Sequence, residues 1–497
     1  MNIKALIAAI ALPIALASSL TVSAEKLVIL HTNDTHSQID PNDKDLGGVL
    51  RRKVLIDSVR AENPNVLLID AGDAVQGTLF FNLFKGEVEH KVMEKLGYDI
   101  AIVGNHDFDN GVDELARNIA SDSTITWITT NYDVSGSSLK GLFSPYIIKE
   151  FGGKRIAFIG INLQPKGMIS EGNYDGVKYL DAMKAANSTA WHLKHNEGVD
   201  MVVAVTHIGY DGEPAPRDLS LAANSEDIDL IIGGHSHTTL KDGKSVTRIP
   251  NLKDRKVLVA QSGSRGTNLG EITIDLDDMT MKSRLIKVDS RLDSRPQDKE
   301  LAEMIDPYRH EIDSIMSIKI AKSIVPLDQA RLLNLFSDVV LKRGEELADG
   351  IDMSILNKGG IRRSLPKGDI TVGMIMTTLP FNNKVTVIDI KGDDLLDALN
   401  IMAGRGGDGV GGDVEITTAG KPAHVEEVHI GGEKIDPEKT YRVATIDYLS
   451  NGGDYMEPLT RGKVVAASRN ILYDDVIASP LIKGKKKINP SPELRMR

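Results

Sequence analysis

The sequence predicts an α/β protein made of two domains, and three observations predict it. At 497 residues the chain exceeds what a single core normally organises. From Lys26 to about residue 285, short β-rich apolar runs alternate with segments of helical period. A polar stretch beginning at Ser294 then separates this half from another with its own helices and strands.

Taken in order, the chain opens on MNIKALIAAIALPIALASSLTVSA. Lys4 gives a positive start, Ala5 to Ala17 an apolar core too short to span a bilayer, and Val22-Ser23-Ala24 a small-residue cleavage site. Residues 1–24 therefore read as a cleaved export signal, and the expected location is periplasmic or secreted. LVILHTN, VLLIDAGD, DIAIVGNHD, RIAFIGIN, MVVAVTHIG and IDLIIGGHSH are mostly continuous apolar runs, as expected of strands covered on both faces. GGVLRRKVLIDSVRAEN, EVEHKVMEKLG and VDELARNIA carry apolar residues at helical spacing. The expected divisions are a first domain over 25–290, a solvent-exposed linker helix over 291–318, and a second domain over 319–497. The second domain holds helices in ARLLNLFSDVVLKRGEELA and DDLLDALNIM, strands in MSILN and KVTVIDIKG, and a glycine-rich loop, AGRGGDGVGGD.

Composition narrows the function classes. A hydrophobic fraction of 41% and a charged fraction of 26% are those of an ordinary globular protein. Cysteine is absent, so no disulfide or lipid-modified cysteine is available. Loss of the leader removes only Lys4 and takes the net charge from −11 to −12, which disfavours nonspecific nucleic-acid binding. The basic run Lys483, Lys485, Lys486 and Lys487 reads as a solvated end. No later segment is long and apolar enough for a membrane anchor, and no protein partner is evident.

Five strand-like runs end in potential metal ligands. They contribute Asp34 and His36, Asp73, Asn105 and His106, His207, and His235 and His237. In open α/β sheets the carboxyl ends of strands converge on one crevice, so these groups can meet despite their separation in sequence. Asp34 and His36 are two apart, as are His235 and His237, so in extended geometry each pair faces one side. Oxygen and imidazole donors without thiolate suit divalent Zn, Mn, Fe, Co or Mg. A single strand-end Asp is ordinarily a turn former or cap, and a single buried His is ordinarily satisfied by backbone. Five such ends together point to a site. His31, His90, His192, His195, His310, His424 and His429 lack that context and are assigned to structure. Asp70, inside its strand, reads as structural or as support for Asp73.

The motifs D-x-H, G-D, G-N-H-D, T-H and G-H-S-H, in this order, resemble the calcineurin-like metallophosphoesterases. HTNDTH and GNHDFDNG are similar to the branch containing bacterial 5'-nucleotidases and UDP-sugar hydrolases. The resemblance implies an α/β/β/α sandwich that holds two divalent ions about 3.5 Å apart. Residue by residue, it implies Asp34, His36 and His237 on one ion, Asn105, His207 and His235 on the other, and Asp73 bridging them. His106 is implied to face the scissile phosphate rather than a metal, with Asp109 orienting it. Asp107 has no assigned role. A water activated by the ions is implied to attack phosphorus in line, and the sequence contains no nucleophile elbow.

The second half resembles the 5'-nucleotidase C-terminal domain, a mixed α/β unit in which two aromatic rings sandwich the base. The segment Asn357-Lys358-Gly359-Gly360-Ile361-Arg362 implies Arg362 at phosphate and Asn357 at a neighbouring polar group. Leu379-Pro380-Phe381-Asn382-Asn383 implies Phe381 as one ring and Asn383 near the base edge. Tyr448 to Asp454 supplies the second ring, Tyr448, and a carboxylate, Asp454, for the ribose hydroxyls. Stacking between rings tolerates any base. The family's arginine near the domain's first helix is missing from Asp328-Gln329-Ala330-Arg331-Leu332-Leu333-Asn334, which leaves Arg331 and Arg363 as candidates to replace it. Lys358 stands where glycine is common.

The sequence thus predicts an exported dimetal phosphohydrolase acting on nucleotides, a 5'-nucleotidase above all. The alternatives are a UDP-sugar or 2',3'-cyclic-nucleotide hydrolase, or a sulfur-compound hydrolase on the same fold. A non-catalytic nucleotide-binding protein is the rival from another class, and the His106–Asp109 pair with a full ligand set argues against it.

Overall fold

The run MVVAVTH forms the strand Met201–His207, buried along its whole length. Its side chains alternate between two layers: Met201, Val203 and Val205 enter one core, Val202 and Ala204 another. A strand that serves two cores must be apolar throughout, which is why this run shows no polar alternation. The computed structural model describes residues 25–121, 124–169, 172–212, 216–240 and 247–496, so the expected export signal lies outside the described residues. The chain divides into two compact units, at Tyr308/Arg309.

The first unit holds two six-stranded sheets. One runs in the order Met281–Lys287, Asn268–Asp275, Lys26–Thr32, Val66–Asp70, Ile100–Ala101, Thr126–Trp127. The other runs Thr247–Pro250, Lys256–Ala260, Leu230–Ile232, Met201–His207, Lys154–Asn162, Tyr146–Phe151. Leu27, Ile29, Ile69 and Ile272 of the first meet Phe158, Val203, Val205 and Leu258 of the second in a shared core. On the outer face of the second sheet, Ala186 and Ala190 of the helix Ala182–His195 close the layer. The helices Val49–Glu62 and Glu87–Leu96 connect parallel strands of the first sheet, with Ile56 and Val88 fully buried. The layering is α/β/β/α, as the resemblance implies.

Strand direction positions the site. Lys26–Thr32, Val66–Asp70 and Ile100–Ala101 pair in parallel, as do Lys154–Asn162, Met201–His207 and Leu230–Ile232. Their carboxyl ends therefore lie along one edge of each sheet. The run DIAIVGNHD gives a ladder of only two residues, Ile100–Ala101. Beyond it, the Asn162 side chain donates to the Val103 carbonyl and the chain leaves the sheet toward the site.

The unit boundary falls inside the helix Lys299–Ser317. Its first half is largely exposed, as the sequence suggested, but carries a narrow buried face. Leu301 and Ile305 are fully buried, and the Tyr308 ring meets Phe84 at 4.9 Å. The second unit is organised by a five-stranded sheet, Gly409–Gly411, Met353–Leu356, Thr440–Ile446, Val385–Lys391, Lys463–Ala467. Helix Gln329–Leu347 buries Phe336, Val339 and Val340. The glycine-rich stretch is not simply a loop: Gly409–Gly411 is a buried strand paired with Met353–Leu356. A Cβ at Gly409 would overlap the Ser337 hydroxyl, and one at Gly411 the Ser354 hydroxyl, so only glycine lets these backbones approach. Among the described residues no helix is long and apolar enough to cross a membrane.

Candidate functional site

The strand-end residues of the first unit come together. Ligand atoms of Asp34, His36 and His237 lie within 4.8 Å of one another, and so do those of Asp73, His207 and His235. His36 Nε2 is 2.9 Å from His237 Nε2, and His237 Nε2 is 3.3 Å from Asp34 Oδ1. The Asn105 amide oxygen sits 2.9 Å from His235 Nδ1. Asp34, His36, Asp73, Asn105 and His207 are buried, whereas His237 is exposed. The turns that aim these groups are left-handed: Asp34, His36, Asp73, His235 and His237 have φ of 50°, 47°, 56°, 76° and 55°. Each such non-glycine residue costs on the order of 1 kcal/mol, and a concentration of them marks a backbone held for a purpose other than stability.

The donor set fits a divalent cation. His207 donates Nδ1–H to the Ala71 carbonyl at 2.7 Å, which turns Nε2 inward. That buried Nε2 is 3.1 Å from Asp73 Oδ2 yet has no hydrogen-bond partner. Burial alone would hold His207 neutral, but the adjoining Asp73 carboxylate pushes it up to about 10. Burial raises the cost of the Asp73 charge, and the facing imidazoles His207, His106 and His36 outweigh it and hold the carboxyl well below the usual range. Burial pulls His235 down to about 4 and lowers His36 as well. Asp73 acts electrostatically on His36 of one triad and on His207 and His235 of the other. An anionic group shared by two nests of imidazole nitrogen, with no thiolate, suits a hard or borderline metal.

GNHDFDNG divides its work. His106 donates its backbone N–H to Asp73 Oδ1 at 2.8 Å, and its Nδ1 is 2.9 Å from Asp109 Oδ2. Its ring centroid is 5.4 Å from that of His36, and it belongs to neither triad. The Asp109 bond and the Asp73 charge outweigh burial and raise His106 to about 9. Asp107, unassigned from sequence, is a clasp: its Oδ2 accepts from Asp73 N at 3.0 Å and Gly104 N at 2.6 Å. A Cβ at Gly104 would fall on the Asp73 carboxylate, so that position must be glycine. Asn33 is a second residue the sequence reading missed. It donates to Asp34 Oδ2 at 2.6 Å and accepts from Ser262 N and Oγ at 2.8 and 2.7 Å. Both lie inside the motifs, and that adjacency was the available signal. Asp70 accepts from Thr32 Oγ1 at 2.6 Å and Gly72 N at 3.0 Å, supporting the turn into Asp73.

In the second unit, Asn357, Arg362, Phe381, Asn383, Tyr448 and Asp454 all line one cavity of about 230 Å³. Phe381 and Tyr448 are each 43% exposed, well above what core aromatics show. Asp454 accepts from Asn357 Nδ2 at 2.6 Å and from the Tyr448 hydroxyl at 3.1 Å. Arg362 stands 5.6 Å over the Phe381 ring centroid. The Asn357 side-chain oxygen is buried without a partner. Arg331, a candidate to replace the missing arginine, lies outside the cavity. It donates to Asn489 Oδ1 at 3.1 Å and to the Pro490 carbonyl, drawn to the chain's end. Arg363 is also absent from the lining. Arg405, from the glycine-rich stretch, holds the Asp454 carbonyl at 2.6 Å and pairs with Asp408.

Residues 27–239 match the family described as Calcineurin-like phosphoesterase, and residues 315–461 match the 5'-nucleotidase, C-terminal domain. The fold and the first match define a metal-dependent phosphoesterase of the calcineurin-like class. Similar proteins include the trifunctional nucleotide phosphoesterase protein of Bacillus subtilis, 29% identical over 95% of this chain. The chain spans 35% of that relative's length. The 5'-nucleotidase of Vibrio parahaemolyticus is 30% identical, covering 86% of this chain and 84% of the relative. Among solved structures, the 5'-nucleotidase precursor from Thermus thermophilus is similar with a TM-score of 0.69 and 30% identity, over 95% of this chain and 99% of that one. The chain belongs to the 5'-nucleotidase family.

Proposed function

We propose that the protein removes the 5'-phosphate of nucleotides with the help of two divalent ions. The observation that carries this reading is the cavity lined by two half-exposed rings, an arginine, two amides and a carboxylate, a set suited to base, phosphate and ribose. Phe381 and Tyr448 would stack the base, Arg362 would meet phosphate, Asn357 and Asn383 would take polar edges, and Asp454 would accept the ribose hydroxyls. In the first unit, Asp34, His36 and His237 would hold one ion, Asn105, His207 and His235 the other, and Asp73 both. When bound, such ions polarise phosphoryl oxygens and lower the pKa of the attacking water. With Nδ1 engaged by Asp109, His106 would offer Nε2–H to the phosphate or the departing oxygen. Asp109 would fix that ring's orientation and favour its charged form.

Phosphate release from mono-, di-, cyclic and sugar nucleotides, with and without added divalent metals, tests the reading. Hydrolysis of nucleoside monophosphates is the expected result, and inertness toward every nucleotide would overturn it. The name of the Bacillus relative favours a second, broader reading in which several nucleotide phosphoesters are cleaved. We also infer export after removal of residues 1–24; N-terminal sequencing of the mature protein should begin near Glu25, and an intact Met1 would refute it.

A further inference from the structure

We propose that the lysines of residues 319–322 and 483–487 form a docking surface for an anionic lipid headgroup layer. In sequence, Lys483, Lys485, Lys486 and Lys487 read as a solvated end, but in the structure they are built into the second unit. Ile482 and Ile488, on either side of the run, are 0% and 5% exposed and act as anchors. Between them the segment lies beside the strand Lys319–Ser323: Gly484 N donates to Ile320 O at 2.8 Å, Lys322 N to Lys485 O at 2.8 Å, and Ile488 N to Lys322 O at 3.0 Å. Adjacent strands are about 4.8 Å apart, so these backbone bonds bring Lys319 and Lys322 within about one Debye length of the C-terminal run. All six lysines are exposed.

The charge is almost uncompensated. Among the described residues these six lysines make one ion pair, Lys319 to Asp369 at 2.7 Å. Lys322 sits opposite the same Asp369 in the strand register. Such a concentration stands out on a chain whose net charge is −11. Held on an ordered backbone, the ammonium groups lose no chain entropy when they meet a charged surface, unlike a free basic tail.

The apolar neighbours choose among anions. Ile318, Ile324 and Leu481 are 50%, 40% and 36% exposed, and each lies within two residues of one of the lysines. Aliphatic side chains interleaved with lysine suit the boundary between headgroups and acyl chains, where both kinds of group gain. Single-stranded nucleic acid would instead call for exposed aromatic rings among the cations, and this strip has none. The inference is independent of the hydrolytic reading, since none of these residues lines the substrate cavity or joins the metal-ligand cluster.

Co-sedimentation of the full chain with vesicles of phosphatidylglycerol in phosphatidylcholine, and of phosphatidylcholine alone, tests it at low and high salt. Each lysine near an anionic surface is worth about fivefold in partitioning. Replacing all four, as Lys483→Gln with Lys485→Gln, Lys486→Gln and Lys487→Gln, should therefore weaken binding to the charged vesicles at least a hundredfold. Phosphate release from a soluble substrate should be unchanged. The double variant Lys319→Gln with Lys322→Gln provides a second reading should the first fail to fold, with roughly a tenfold or greater loss expected. Wild-type binding should vanish at high salt and be absent on phosphatidylcholine. Failure of the wild type to bind charged vesicles, equal binding by the folded variants, or tighter binding to a single-stranded oligonucleotide than to vesicles would overturn the proposal.

Discussion

Tyr448→Ala separates recognition from chemistry. The ring lines the cavity with 43% of the residue exposed, so its removal leaves the sheet core untouched. Two losses follow. The first is stacking, worth roughly 1–3 kcal/mol per base. The second is the hydroxyl, which donates to Asp454 Oδ1 at 3.1 Å and accepts from Asp454 N at 3.2 Å. Asp454 keeps its 2.6 Å bond from Asn357, so the second loss is small, about 1 kcal/mol or less. Stacking far from phosphorus is uniform binding, which changes KM rather than kcat. Together the two losses come to roughly 1–4 kcal/mol, so KM for AMP should rise about 5- to 850-fold with kcat nearly constant. Tyr448→Phe keeps the ring and should raise KM by no more than about fivefold. An aryl phosphate has no base to stack and should show neither effect. Steady-state kinetics on AMP and p-nitrophenyl phosphate read both arms. Equal damage to both substrates, or none to AMP, would refute the base-stacking role and return Tyr448 to a structural one.

His106→Ala should keep its bound metal, measured by elemental analysis, yet lose roughly 10²–10⁴ in kcat; loss of metal would make His106 a ligand instead. Chelation should abolish activity and a divalent transition metal restore it, while Asp73→Asn should lower both metal content and turnover because the carboxylate whose charge acts on imidazoles of both triads has gone. A fully active metal-free protein would contradict this. Asp107→Ala leaves the amides of Asp73 and Gly104 buried without an acceptor, a cost of about 2–6 kcal/mol that denaturant unfolding can read. A loss under about 1 kcal/mol with unchanged metal affinity would show that the clasp is dispensable.

What the sequence determined was local. Apolar runs ending in Asp, Asn or His specify strands whose ends carry candidate ligands, and the chemistry of those donors is set by residue type alone. The rings, arginine and carboxylate of the second half, which line one cavity, were singled out by short motifs through the family resemblance rather than by residue type. The tertiary structure decided what depends on which distant segments become neighbours. Asn33 reaches Ser262, 229 residues away, and Arg331 is claimed by Asn489 and Pro490 rather than by the cavity. Arg405 reaches Asp454 because the glycine-rich stretch folds as a buried strand under helix Gln329–Leu347, an outcome that glycine content alone pointed away from. The helix Lys299–Ser317 likewise hid a buried face behind a polar sequence, since two residues, Leu301 and Ile305, suffice to dock it. The lysine run changes most: two buried isoleucines fix it beside a strand more than 150 residues earlier, turning what composition reads as a loose end into an ordered surface. Residue type and spacing fix the direction and chemistry of a side chain. Its partner is fixed by long-range hydrogen bonding and burial, which short motifs do not encode.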